Sequence, residues 1–241
     1  MRPCKSPQQE LKAKGCDQVK DKLVPSRRLP LSSSFRQSVG EYNRDQLITV
    51  HAVLEVLSNL TAEEVRALRA MVHPYLAFRR EVDAYYRSYF KPTCETRCFD
   101  TRLSACCGFE SIITFFADHV ISLLESTREQ ADLLLSVLNR PNVTERCIYL
   151  GAYGCLWKVP PISCAMFLCA PSKEVVFDTH PEVESLWGDH QIGEKRFTCP
   201  SQPVLFDELE EFFMERGCDT PHLFFHRSPG LLRAKAMAGL G

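Results

Sequence analysis

The stretch CETRCFDTRLSACCG, residues 94–108, carries Cys94, Cys98, Cys106 and Cys107. A second stretch, CIYLGAYGCLWKVPPISCAMFLC, carries Cys147, Cys155, Cys164 and Cys169. Soft cations and iron–sulfur clusters take thiolate ligands, so eight cysteines in two groups point to metal chemistry. The adjacent pair Cys106-Cys107 cannot aim both sulfurs at one point. Successive side chains leave opposite faces of an extended chain and diverge by about 100° in a helix. A disulfide between the two neighbours is strained as well, because bridged Cα atoms are ordinarily more than ~4.4 Å apart. The pair needs partners elsewhere in the chain.

The surroundings of the thiols suit a metal. Loop backbone can wrap an ion, and Gly108, Gly151 and Gly154 supply turns beside the cysteines. Pro160-Pro161 stiffens the approach to Cys164, which reduces the entropy lost on binding. Ile148, Leu150, Leu156, Trp157, Met166, Phe167 and Leu168 would shield a site from water and give weight to hydrogen bonds on sulfur. Against this stands the behaviour of free cysteine as a small buried hydrophobe. That accounts for one or two thiols and does not account for eight. A disulfide framework is the other alternative, and dense cysteine in a reducing compartment is more often a metal or redox site.

The order C–C–CC, a gap, then C…GC…P…C…F…C resembles the bacterial family of zinc- or iron-chelating CxxCxxCC domain proteins, over residues 94–169. A related cysteine-rich region occurs in the flagellin lysine methylases, which are associated with an iron–sulfur cluster. The resemblance implies a metal or cluster held by Cys94, Cys98, Cys106, Cys107, Cys147, Cys155, Cys164 and Cys169. It implies little about a reaction. The family's opening C-x2-C-x2-CC is C-x3-C-x7-CC here, the second half follows an insertion of two helices, and Pro160-Pro161 stands where Arg-Pro is usual. Cys94 and Cys98 are therefore the least secure ligands. The C-x3-C opening lacks the third cysteine two residues on that a radical-SAM enzyme would need.

Other groups carry less. Asp178, His180, Asp189 and His190 lie close in DTHPEVESLWGDH and could bind metal or exchange protons, though such polar groups are usually only solvated. His119 on an apolar helix reads as a satisfied core histidine. Cys199 and Cys218 read as core cysteines, and Cys4 and Cys16 as exposed thiols of the N-terminal segment. G-x-G-x-x-G, P-loop, H-E-x-x-H and G-x-S-x-G motifs are all missing, so no particular enzyme class is supported.

The elements that must hold the thiols are mostly helical. Leu47, Val50, Leu54 and Leu57 recur at helical spacing. Thr61 and Glu64 form a capping box for a long helix with Val65, Leu68, Val72, Tyr75, Leu76, Val82, Tyr86 and Tyr89 on its stripe. Pro74 predicts a kink or break there. Residues 109–125 read as an apolar helix, and Ser126 with Glu129 as the capping box of a helix over 127–138. Residues 139–178 read as short strands and loops. A helix follows, with Pro203 near its start and Gly217 at its stop, and a last one from Pro229.

The chain of 241 residues, 45% hydrophobic and 24% charged with net charge −1, has the balance of a globular protein, and no overall field favours nucleic acid. Residues 1–40, rich in Pro, Lys, Arg and Ser, read as a disordered basic tail, and residues 41–241 as a single helical domain containing the cysteine region 94–169. No secretory core and no run long enough to span a bilayer are visible, which predicts a cytoplasmic protein without a membrane span. The expected class is mainly α, with an irregular cysteine-rich metal-binding part. The expected cofactor is an iron–sulfur cluster, [4Fe–4S] before zinc. The alternatives are a structural zinc protein presenting helices to a partner, or a cluster-dependent redox or modification enzyme. The expected partners are an electron-transfer protein or another protein, with no nucleic acid.

Overall fold

The computed structural model describes residues 40–101, 107, 113–141, 146–198 and 204–224. The expected tail at 1–40 (all but Gly40), the last helix from Pro229, and Cys4, Cys16, Cys106 and Cys199 lie outside the described residues. The protein is mainly helical. Its helices are α1 (Glu41–Asn59), α2 (Ala62–Tyr89), α3 (Lys91–Cys94) running into a π-helical turn (Glu95–Phe99), α4 (Phe116–Glu125), α5 (Arg128–Leu138), α6 (Ile162–Ala165), α7 (Ala170–Thr179), α8 (Pro181–Thr198) and α9 (Leu205–Met214), with a 3₁₀ turn at Pro221–Phe224. One hairpin pairs β1 (Leu150–Gly151) with β2 (Gly154–Cys155) antiparallel, Leu150 opposite Cys155. No described helix is long and apolar enough to cross a membrane.

The expected capping box starts α2: Thr61 Oγ1 accepts the Glu64 N–H at 3.2 Å and the Glu64 carboxylate accepts the Thr61 N–H at 2.8 Å. Pro74 lies inside α2 without the break that is one of its two expected effects, since the helix runs unbroken from Ala62 to Tyr89. An interior proline costs about 3 kcal/mol. Burial of Val72, Tyr75 and Phe78 on either side offsets that, at roughly 1.5–3 kcal/mol for each large apolar group. The apolar helix expected over 109–125 starts only at Phe116, with 113–115 outside it. The box of α5 sits one residue later than expected, on Thr127 and Gln130. Gly217, at φ +78°, ends the turn after α9 as expected of a stop glycine.

Residues 170–178, read from sequence as short strands and loops, and the polar group 178–190 lie in α7 and α8. Pro181 at the first helical position, Glu182 and Glu184 in the first turn and Lys195 and Arg196 in the last all agree with the helix dipole.

α4 is the central element. Every residue from Phe116 to Leu124 is buried, and the helix packs against α1 and α9. Around it the main core gathers Val50, Val72, Tyr75, Phe116, Ile121, Leu134, Tyr149, Trp157, Phe206 and Phe213. A second, smaller cluster joins Tyr85, Phe90, Leu168, Val176, Val183 and Trp187. There Tyr85 stacks on Trp187 at 5.7 Å and its hydroxyl donates to the Val183 carbonyl at 2.8 Å. Met166 packs against both clusters and so joins them.

Candidate metal centre

The sequence divides the thiols into residues 94–107 and 147–169; the fold divides them differently. Cys147 is buried, and Cys107 and Cys164 are half-buried against the main core. The Cys147 N–H donates to the Cys107 carbonyl at 2.6 Å, so the two cysteine groups meet there. Cys155 is exposed at the end of the hairpin. Cys94 packs instead against the second cluster, which also contains Leu168, the sequence neighbour of Cys169. Cys169 donates from sulfur to Ser172 Oγ at 3.2 Å, and Cys98 lies half-buried in the π turn.

Cys147, Cys155 and Cys164 share one electrostatic neighbourhood. Burial pushes Cys147 up to about 12, the N–H groups of Tyr149 and Leu150 pull it down, and the Cys155 thiol pushes it further up. Although Cys155 is solvent-exposed as a residue, desolvation by the protein around its thiol raises it as well, while hydrogen bonding from the Trp157 N–H and the charge of Arg79 oppose the rise. Cys164 is pushed up to about 12 by burial first, then by Cys155, Asp118 and Cys147. The buried Tyr42 phenol is raised by burial and then by Cys147, Cys164 and Cys155. Backbone N–H groups directed at sulfur stabilise its ionised form, the form that binds metal. Among the described residues, no three Cys, His, Asp or Glu side chains already stand close enough together to hold an ion.

The loop that carries Cys164 is fixed from four directions. Arg79 Nη1 donates to the Pro160 carbonyl at 2.7 Å. Asp118 Oδ1 accepts the Ile162 N–H at 2.9 Å, while its Oδ2 accepts the Phe115 N–H at 2.9 Å. Ser122 Oγ accepts the Val159 N–H at 3.2 Å, and the Ser163 hydroxyl donates to the Ile113 carbonyl. One buried carboxylate thus joins the starts of α4 and α6. Its own environment pushes Asp118 up to about 6, burial outweighing its two backbone hydrogen bonds and the Arg79 charge.

None of these anchoring residues was singled out from sequence. A signal for Arg79 existed: it falls on the apolar stripe of α2 with Val72, Tyr75 and Val82, where a charge needs a reason. Asp118 and Ser122 likewise interrupt the most apolar helix. Beside the thiols runs a polar network in which the Tyr149 hydroxyl donates to Gln46 Oε1 at 2.9 Å. Gln46 Nε2 donates to Thr114 at 2.6 Å and lies 3.0 Å from His222, and Thr49 holds the other His222 nitrogen at 2.7 Å.

His119 corrects its sequence reading in part. It is a fully buried core residue, but it is not satisfied: neither ring nitrogen has a hydrogen-bond partner among the described residues. In the polar group 178–190 no three side chains stand close enough together to hold an ion. His180 pairs with Glu182 at 3.4 Å and packs on Tyr89, and His190 lies edge-on to Tyr85 at 5.0 Å and to Phe78 at 6.4 Å. Cys218 is a buried core cysteine, pushed up to about 12 by burial. No family model, curated protein or solved structure matches this chain.

Proposed function

We propose that the protein is a metal-binding protein whose centre is built on Cys147, Cys155 and Cys164, completed by Cys107. The supporting observation is the tie between the two cysteine groups, in which the Cys147 N–H donates to the Cys107 carbonyl at 2.6 Å, with Cys155 acting through space on both Cys147 and Cys164. A donor set of sulfur alone suits an iron–sulfur cluster, [4Fe–4S] in preference, and suits tetrahedral zinc second. Cys94, Cys98 and Cys169 are the candidates for a further site near the second cluster.

The residues around the thiols supply what such a centre needs. Trp157 and Tyr149 exclude water, the N–H groups of Tyr149, Leu150 and Trp157 support ionised sulfur, and Asp118 and Arg79 fix the loop that carries Cys164. A bound cluster would supply electron transfer or a structural crosslink. The first role makes an electron-transfer protein the expected partner. The test is metal and acid-labile sulfide content of protein purified without oxygen, in wild type and in Cys164→Ser. Loss of metal in the variant supports the assignment, and equal metal content in both contradicts it.

A further inference from the structure

We propose that Cys107 and Cys147 form a reversible disulfide, closed by exchange with a small-molecule disulfide, that ties together the chain on either side of α4 and α5. The pairing rests on backbone geometry and not on the reading of the thiols as metal ligands. Both cysteines are free here, and the Cys147 N–H donates to the Cys107 carbonyl at 2.6 Å. An amide nitrogen lies ~1.46 Å from its own Cα and a carbonyl oxygen about 2.4 Å from its own, so this bond holds the two Cα atoms no more than about 6.4 Å apart. Bridged cysteines have Cα atoms roughly 4.4–6.8 Å apart, so the chain is already close enough to bridge. Both side chains also pack on one core: Cys147 is part of the main cluster and Cys107 lies against it. Rotation of the two thiols, without rearrangement of the backbone, then closes the bond.

The other described thiols lack this arrangement. Among the described residues, no other backbone hydrogen bond outside the helices and the hairpin joins two cysteines. Cys155 stands opposite Leu150 in the hairpin, and Cys94 lies against the second cluster. Cys147 is also fixed from its other side, because its carbonyl accepts the Leu150 N–H at 3.0 Å where the chain enters the hairpin. Holding both partners in place before reaction raises their effective concentration far above that of an external thiol.

The co-reactant is a low-molecular-weight disulfide such as oxidised glutathione. Cys107 is half-buried and Cys147 buried, so the reagent meets Cys107. The Cys107 sulfur attacks one sulfur of the reagent, whose S–S bond breaks; one reagent thiol leaves with the Cys107 proton and a mixed disulfide remains. The Cys147 sulfur then attacks the Cys107 sulfur, the mixed S–S bond breaks, and the second reagent thiol leaves with the Cys147 proton. Two protein thiols are oxidised, the reagent is reduced to two thiols, and excess reduced reagent reverses both steps. The loop so closed contains α4 and α5 whole.

The test incubates the full-length protein in a glutathione redox buffer, with and without a chelator, at a temperature where its helical circular dichroism is retained. Remaining thiols are alkylated, the protein is digested without reduction, and linked peptides are sequenced by mass spectrometry. The Cys107–Cys147 link should exceed every other pairing about tenfold or more, and should persist in Cys106→Ser. Cys147→Ser should instead retain glutathione on Cys107, the stalled mixed disulfide. Oxidation should raise the melting temperature by roughly 5–15 °C, the effect of closing a loop of this length, and reductant should return it.

A dominant link between other cysteines, Cys106 with Cys147 included, overturns the proposal. So does folded protein whose Cys107 and Cys147 stay unlinked in both arms while oxidised glutathione is in excess. The two arms separate this inference from the metal reading. A link that forms only with chelator supports both, because metal and disulfide then compete for the same two sulfurs. A link that forms equally in both arms supports this inference and removes metal from those sulfurs.

Discussion

Replacing His119 by leucine should make the protein more stable. The imidazole is completely buried in α4, its ring 4.7 Å from that of His222 and 4.9 Å from that of Trp157, and both of its nitrogens lack partners among the described residues. A buried polar group without a hydrogen bond costs roughly 1–3 kcal/mol. Leucine removes that cost, is a better helix former and forfeits ring contacts of ~0.5–1.5 kcal/mol. The expected gain is about 1 kcal/mol near neutral pH.

The pH dependence gives a second readout of the same variant. Burial, then the neighbouring His222, holds His119 well below its ordinary 6.5, so the unfolded chain takes up a proton that the folded chain refuses. Stability is therefore lost as pH falls below 6.5, by about 1.4 kcal/mol per unit for each such histidine. His222, lowered to about 3 by burial, contributes the same slope. Asp118, pushed up to about 6, runs the other way, because its folded form binds the proton first and acid relieves the buried charge. Between pH 6 and 5 these groups leave wild type with a net loss of about 1.4 kcal/mol, and His119→Leu should show about none from the same set. Urea unfolding at pH 7, 6 and 5 measures both effects. A variant less stable than wild type, with an unchanged slope, would refute the reasoning and show that the imidazole is engaged.

Asp118→Ala should cost about 3 kcal/mol or more by chemical denaturation, since it strands the buried N–H groups of Phe115 and Ile162; Asp118→Asn, which keeps one acceptor, should cost less. Cys107→Ser and Cys164→Ser should lower metal content, because a hydroxyl is a poorer ligand than thiolate, whereas Cys4→Ser and Cys16→Ser should not; elemental analysis of the four proteins decides. Anaerobic chelation should lower the melting temperature and expose Trp157, now 4% exposed, since structural thiolate sites contribute on the order of 10 kcal/mol. An unchanged melt of verified metal-free protein would count against a structural metal.

What could be read from sequence was local. The Thr61–Glu64 box and the Gly217 stop are fixed by residues a turn apart, and the structure carries both. The box of α5 was ambiguous by one residue because Ser126-Thr127 and Glu129-Gln130 offer two registers. The start of α4 was blurred by the apolar but β-branched Ile113-Thr114, which lie outside the helix. α8 was hidden because it buries only Val183, Trp187, Glu194 and Thr198, a stripe too sparse and too polar to show as period 3.6. At the candidate centre, the thiols and their loops were legible from residue type. The anchors were not, because the contacts of Arg79 with Pro160 and of Asp118 with Ile162 span 81 and 44 residues of chain, which only the packing of α2 and α4 brings together.

Metal analysis of anaerobically prepared wild-type protein tests the central claim most directly. The account predicts iron with acid-labile sulfide and a broad absorption near ~400 nm that fades in air as thiolates and sulfides oxidise. Stoichiometric zinc without iron or sulfide would replace the preferred cofactor while keeping the thiol centre. Protein containing neither metal, and taking up neither on reconstitution, would contradict the account.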